Sequence, residues 1–359
     1  MIYIVLYFTI FIITLFVTIA DGKPVRIIES YIYIIISSII FFMSAVRHNV
    51  GYDFSSYKNI FNTIHNSSRN IWYFNQKLDM DVGYVLLNKL SVNYPMLIFI
   101  IASLAIIPKL IFIYKESESK LFVLLMYYCG IFITYDMGVI RQGLSITIFL
   151  YGLKYVREQK LLKYLLIIFL SFIFHPSALV YIPLYFIGNI ELSKKTYYIT
   201  AFSALIFSLF SDSSFVLSIA EHLPEGIIST KLAYYTLYTS EDLTFSLLKR
   251  IVFLVIFVEF SKRSNLLTND KKQLIYLNGY YLSILFASIF ASVPVIGGRG
   301  HAGLYILQVF IFSKMVRNTQ NKILKLVIIV VISAMFYKTL LGPLNDIYSF
   351  YLPYQTIFN

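Results

Sequence analysis

Long apolar runs alternate with short polar connectors along almost the whole chain. The runs fall at roughly 2–20, 31–46, 95–114, 121–135, 138–156, 161–174, 177–190, 197–210, 245–260, 274–293, 301–316 and 323–341. Most approach the ~20 residues that an α-helix needs to cross a ~30 Å hydrocarbon core, where only helices and closed barrels satisfy their own backbone. The pattern predicts an all-α polytopic integral membrane protein of about 12 transmembrane helices. Two hydrophilic insertions, 47–94 and 211–244, interrupt it. No linker, second domain or repeat is visible, so 1–359 reads as a single transmembrane domain. Ile2–Ala20 has no Lys or Arg before it and another apolar run soon after, so it is expected to be retained as a span.

Charge sets the expected orientation. With the N-terminus outside, connectors 21–30, 115–120, 157–160, 191–196, 261–273 and 317–322 face the cytoplasm and, with their flanks, hold most of the Lys and Arg. The short outward connectors carry only Arg141 and Arg299. The stretch 161–190 is either one long span broken at His175-Pro176 or two short helices joined there. One span would turn Lys262, Arg263, Lys271 and Lys272 outward against the positive-inside bias, which favours two helices. Both insertions and all five His (48, 65, 175, 222 and 301) then fall on the outward face.

Composition agrees and narrows the partners. The chain is 58% hydrophobic and 13% charged, with a mean hydropathy of +0.75, against about one quarter charged for a soluble domain. Its formal charge of +12 comes from loop cations that set membrane orientation, not from a stripe tracking a phosphate backbone, so no nucleic-acid partner is expected. The lone Cys129 lies within an apolar run and excludes an intramolecular disulfide and a thiolate cluster. No Walker loop, GxSxG elbow or HExxH is present.

Candidate chemistry gathers on the outward side. Arg47, His48, Gly51, Asp53 and Tyr57 either solvate a helix end or offer a cation, an imidazole and a carboxylate together. Asp79-Met80-Asp81 is either incidental or a DxD pattern able to hold a divalent cation. Leu86, Leu87 and Leu90 share one face of an amphipathic stretch, 82–94, expected to lie on the outer surface. Arg141 near Asp136 is either neutralised by it or binds an anionic substrate group, for which a guanidinium fork suits a diphosphate. His175 is either a hinge residue or a base. Arg299 lies among three glycines, and Arg250 at an outward helix start where cations are disfavoured.

At these residues the chain resembles the EpsG/Wzy-like exopolysaccharide and O-antigen polymerases. The shared features are Arg47-x3-Gly51-x-Asp53-x3-Tyr57, Asp81-Val82-Gly83-Tyr84, Ile140-Arg141-Gln142-Gly143, His175-Pro176-Ser177-Ala178, a late Arg299 and the ending Leu352-Pro353-Tyr354. The resemblance implies block transfer of undecaprenyl-diphosphate-linked oligosaccharides at the outer face of the bacterial cytoplasmic membrane. Asp53, His48 or His175 would be the base, and Arg141 and Arg299, with Arg47 and Arg250, would hold the diphosphate. Asp81, Asp136 and Tyr57 are further candidates, and no metal or other cofactor is expected. Membrane lipids surround such an enzyme, and a chain-length regulator and a flippase are partners this role admits. A flippase for the same lipids would need charges along a whole transmembrane path; here they bunch at one face. An O-antigen ligase or another membrane glycosyltransferase would share the outward chemistry, and a purely structural membrane protein would not need so many outward His and Arg.

Overall fold

The computed structural model of the 359-residue chain describes every residue except Asp21, Asp79, 211–212, 223–243, 265–269, 346–349 and Asn359. Helix is the dominant regular structure among the described residues. In chain order these are α1 (Ile2–Ala20), α2 (Lys23–Ala45), α3 (Phe54–His65), α4 (Ile71–Leu78), α5 (Val82–Leu90), α6 (Tyr94–Glu116) and α7 (Lys120–Tyr127). A π-helical segment, Tyr128–Gly138, continues α7 and is followed by α8 (Ile140–Arg157) and α9 (Leu161–Phe172). A 3-10 turn, Pro176–Tyr181, leads to α10 (Pro183–Ile187), α11 (Lys194–Phe210) and α12 (Ser213–His222). Then come α13 (Thr244–Arg263), α14 (Lys271–Ile289), α15 (Pro294–Arg299), α16 (Ala302–Tyr305), α17 (Gln308–Asn318) and α18 (Lys322–Asn345).

Five described helical stretches are long and apolar enough to cross a membrane: Ile2–Ala20, Pro24–Ala45, Tyr94–Glu116, Lys120–Gly138 and Lys322–Asn345. The pair Val295–Tyr305 and Gln308–Asn318, bent by 46°, makes a sixth if it is one span. The remaining predicted runs do form helices, but these are short or carry charge: α9 has 12 residues, and α13 contains Lys249, Arg250 and Glu259. α1 shows why the long helices belong in lipid. Tyr3, Leu6, Tyr7 and Ile10 are buried on one face, whereas Val5, Phe8, Ile12, Phe16 and Ile19 lie bare on the other. A helix apolar all round, with most of its residues uncovered by protein, has hydrocarbon as its natural solvent.

The helices group into two compact units. The first comprises Met1–Tyr151, Leu170–Pro176 and Phe312–Asn359. It contains α1, α2, α6, α7 with its π continuation and α18, and it carries the first insertion as α3–α5. The insertion has its own core, in which Phe54, Tyr57, Phe61 and Tyr84 pack against Tyr94, Leu97 and Ile98 of α6. Asn93 caps α6 by accepting from the Met96 amide at 2.9 Å, and Pro95 suits a first turn where its missing N–H costs nothing.

The second unit comprises Gly152–Phe169 and Ser177–Ile311, with α11, α13 and α14 packed on one another. Asn278, in the middle of α14, donates from Nδ2 to the carbonyls of Ile187 (2.7 Å), Gly188 (3.2 Å) and Ile190 (2.9 Å). It thereby satisfies backbone acceptors left open where α10 ends.

The stretch 161–190 is two helical pieces. After α9 the amides of Phe174 and His175 both turn back to the Ser171 carbonyl at 3.1 Å, and Pro176 starts the 3-10 turn. The chain then doubles back. Tyr164 donates to the Tyr181 carbonyl at 2.6 Å, and Asn189 Nδ2 reaches the Val156 carbonyl at 2.7 Å, before α9 begins. Of the second insertion only its start is described, as α12; Lys231 and the rest of 223–243 lie outside the described residues.

Candidate functional site

Arg141 is the centre of the first unit's candidate site. It lies in the first turn of α8, and its guanidinium is received by the insertion. Nη1 forms an ion pair with Asp81, the residue that begins α5, and Nε donates to the Tyr57 hydroxyl of α3 at 3.3 Å. The guanidinium carbon stands 5.7 Å from the Tyr57 ring centroid and 5.9 Å from that of Tyr84, so two aromatic faces flank the cation. Burial pushes the phenols of Tyr57 and Tyr84 up, and both remain protonated. The buried Tyr84 hydroxyl faces the Asn88 side chain one turn further along α5.

The break after α9 packs against this site. The Gly83 amide donates to the Ile173 carbonyl at 3.0 Å, and a Cβ at Gly83 would stand 2.7 Å from the Phe174 ring. The segment holding His175 is thus docked on the start of α5, two residues from Asp81. Asp53 begins α3 and acts electrostatically on Tyr57, one turn further on. His48 sets its ring edge-on to Phe54, 6.0 Å between centroids.

Asp136 does not neutralise Arg141. Its carboxylate faces the other way, to a fully buried Lys109 of α6 at 2.5 Å, and accepts from the Tyr127 hydroxyl at 2.7 Å. The two residues do not share one continuous helix: the π-helical segment ends at Gly138, and Val139, at φ −85° and ψ 66°, departs from helical geometry before α8 begins at Ile140. Lys109 also reaches the Gly143 carbonyl at 3.3 Å, tying the pair to the first turn of α8. Only glycine fits there, since a Cβ would lie 2.5 Å from the Tyr135 carbonyl oxygen and 2.7 Å from Asp136 Oδ1. Lys109 is the residue that reading the sequence missed. A lysine midway along an apolar run was its signal, because such a charge in hydrocarbon needs a partner.

Arg47 is a scaffold element rather than an open cation. Its Nη1 donates to the Ser44 hydroxyl (2.5 Å), the Ser44 carbonyl (3.2 Å) and the Asp136 carbonyl (3.2 Å). The C-terminal segment closes over this point: the His48 amide donates to the Gln355 carbonyl (3.0 Å), and the Gly51 amide to that of Phe350 (2.7 Å). Gly51, at φ 119°, lies so close to the Met137 carbonyl that any side chain would collide with it. Asp79, the other half of the acidic pattern, lies outside the described residues, and Asp81 is engaged by Arg141.

The second unit has a cationic centre of its own. Arg250 is buried; its Nη1 is 2.5 Å from His301 Nε2, and its guanidinium stands 4.6 Å from the Tyr305 ring centroid. A guanidinium only donates, so His301 accepts at Nε2 and carries its proton on Nδ1. Arg299, at the end of α15, is exposed. In the sequence His301 is one of five outward histidines, and nothing local points to Arg250, 51 residues away.

Among the described residues, a helical scaffold with five stretches able to cross a membrane, carrying a part-buried arginine between a carboxylate and two tyrosines, defines a multi-spanning membrane protein. The chain matches the EpsG family model over residues 30–356 and belongs to that family. It is an exopolysaccharide or O-antigen polymerase-like membrane protein. No curated protein and no solved structure matches it.

Proposed function

We propose that the protein polymerises undecaprenyl-diphosphate-linked oligosaccharide repeat units by glycosyl block transfer at the outer face of the bacterial cytoplasmic membrane. The observation that supports this best is Arg141, held by Asp81 and Tyr57 in the insertion that caps the spans. On this reading its guanidinium takes the diphosphate of the lipid-linked donor, exchanging one carboxylate oxygen for phosphate oxygens. The bond between the donor's anomeric carbon and the diphosphate oxygen breaks, and its electron pair leaves with the diphosphate. A hydroxyl of the incoming unit forms the new glycosidic bond and gives its proton to a base, for which Asp53 and His175 flank Arg141's partners. In the second unit, Arg299 is the exposed cation assigned to phosphate, while Arg250 holds His301.

Deleting the gene is expected to leave glycans carrying one repeat unit while the lipid-linked precursor still reaches the outer face. Precursor trapped on the cytoplasmic side would instead mark a flippase. Sidedness is open to a direct measurement in a Cys129→Ser background. Ser55→Cys is expected to react with an impermeant thiol reagent on spheroplasts, and Ser119→Cys and Ser193→Cys only after lysis. External labelling at 193 would place the chemistry on the wrong face.

A further inference from the structure

The first insertion carries an apolar surface that its own helices leave bare. α4 and α5 bury Phe74 and Val85 against Ile64, but Trp72 remains 64% exposed, Leu90 64% and Val92 73%. These residues gather at one end of the helix pair. Lys89 Nζ donates to the Arg69 carbonyl at 2.6 Å and stands 5.5 Å from the Phe74 ring centroid, which brings the end of α5 against the start of α4.

That end leads straight into a membrane span. Val92 is two residues before Tyr94, where α6 begins, so it lies at most ~7 Å from the start of the span. The headgroup layer is itself roughly 5–8 Å deep on each side of the core. Exposed apolar surface at this depth gains ~25 cal/mol for each Å² that lipid removes from water. Arg69 and Lys89 flank the patch with charge opposite to lipid phosphate. A tryptophan between basic residues, beside the mouth of a span, has the composition of an interfacial anchor.

We propose that the α4–α5 pair is seated in the bilayer interface, with Trp72, Leu90 and Val92 at the boundary between headgroups and acyl chains and Arg69 and Lys89 against lipid phosphates. Asp81 lies in the turn joining these two helices, at the opposite end of the pair from Trp72 and Leu90, and holds Arg141, so the anchor ties the segment bearing that ion pair to the membrane surface. The inference concerns placement in lipid and stands whether or not the polymerase reading holds.

Trp72 is the only tryptophan in the chain, so the unmodified protein reports on itself. Full-length protein in phosphatidylethanolamine–phosphatidylglycerol vesicles would be excited beyond the tyrosine absorption band. Brominated lipids are expected to quench Trp72 most when bromine is near the carbonyl end of the chain, with aqueous iodide quenching weakly. Leu90→Glu with Val92→Glu is expected to shift Trp72 emission to longer wavelength and raise iodide quenching severalfold. Strong iodide quenching of the unmodified protein without lipid quenching would overturn the proposal, because the pair would then stand in water. Strongest quenching by bromine near the chain end would also overturn it, as would quenching by neither agent, which would mean that a protein surface covers Trp72.

Discussion

Arg141→Lys is expected to reduce polymer formation by about 10–100-fold at near-normal protein level. Lysine keeps the charge and reaches Asp81, so folding should survive. What it loses is the planar fork that can engage two oxygens at once, and its compact ammonium sits differently against the faces of Tyr57 and Tyr84. One charge-assisted hydrogen bond lost at the step where the diphosphate gains charge is worth ~1.5–3 kcal/mol, which is the quoted range in rate. Chain length and polymer yield from membranes supplied with lipid-linked units would measure it. Full activity in this variant would mean that position 141 needs charge alone.

Asp136→Asn is expected to have the largest effect on folded protein. It leaves the Lys109 ammonium in the protein interior with its anion removed, and breaking a buried pair by deleting one partner costs about 3–5 kcal/mol. Replacing both partners, Lys109→Met with Asp136→Leu, removes both desolvation penalties and is expected to restore most of the protein level. Because the Asp136 backbone carbonyl holds Arg47 and Ser44 and Lys109 reaches Gly143, the restored protein should still show altered activity. Size-exclusion profiles from detergent, read against polymer yield, separate the two effects. A wild-type profile for Asp136→Asn alone would show that the pair does not support the fold.

The two substitutions test different parts of one arrangement. Arg141 meets the insertion, and the Lys109–Asp136 pair lies beneath it, on the opposite side of the first turn of α8. Gly143 lets that turn approach the π-helical segment closely enough for both to be joined. A local change in Asp136 thus reaches Arg141 through backbone position rather than through charge.

Much about this protein is determined by its linear pattern. Apolar runs long enough to cross a bilayer have no stable alternative to helix there, so the all-helical membrane architecture follows from backbone hydrogen bonding alone. The break at His175-Pro176 was legible because proline cannot continue a helix and turns the preceding residue away from it. Gly51 was legible because a glycine beside charged residues at a helix end marks an unusual turn, and its positive φ is that turn. Membership of the family was likewise carried by short motifs in order.

Which charges meet was decided only by the tertiary structure. Arg141 and Asp136 are five residues apart and looked like partners, yet the break at Val139 puts them on different helices. Each then takes a partner distant in sequence: Asp81, 60 residues away, and Lys109, 27 residues away. The pairing of Arg250 with His301 spans 51 residues in the same way. Periodicity places a residue on a helix face but carries no information on which helix that face will meet. The partner is chosen by packing, and by the cost of leaving any charge in a low-dielectric interior without one.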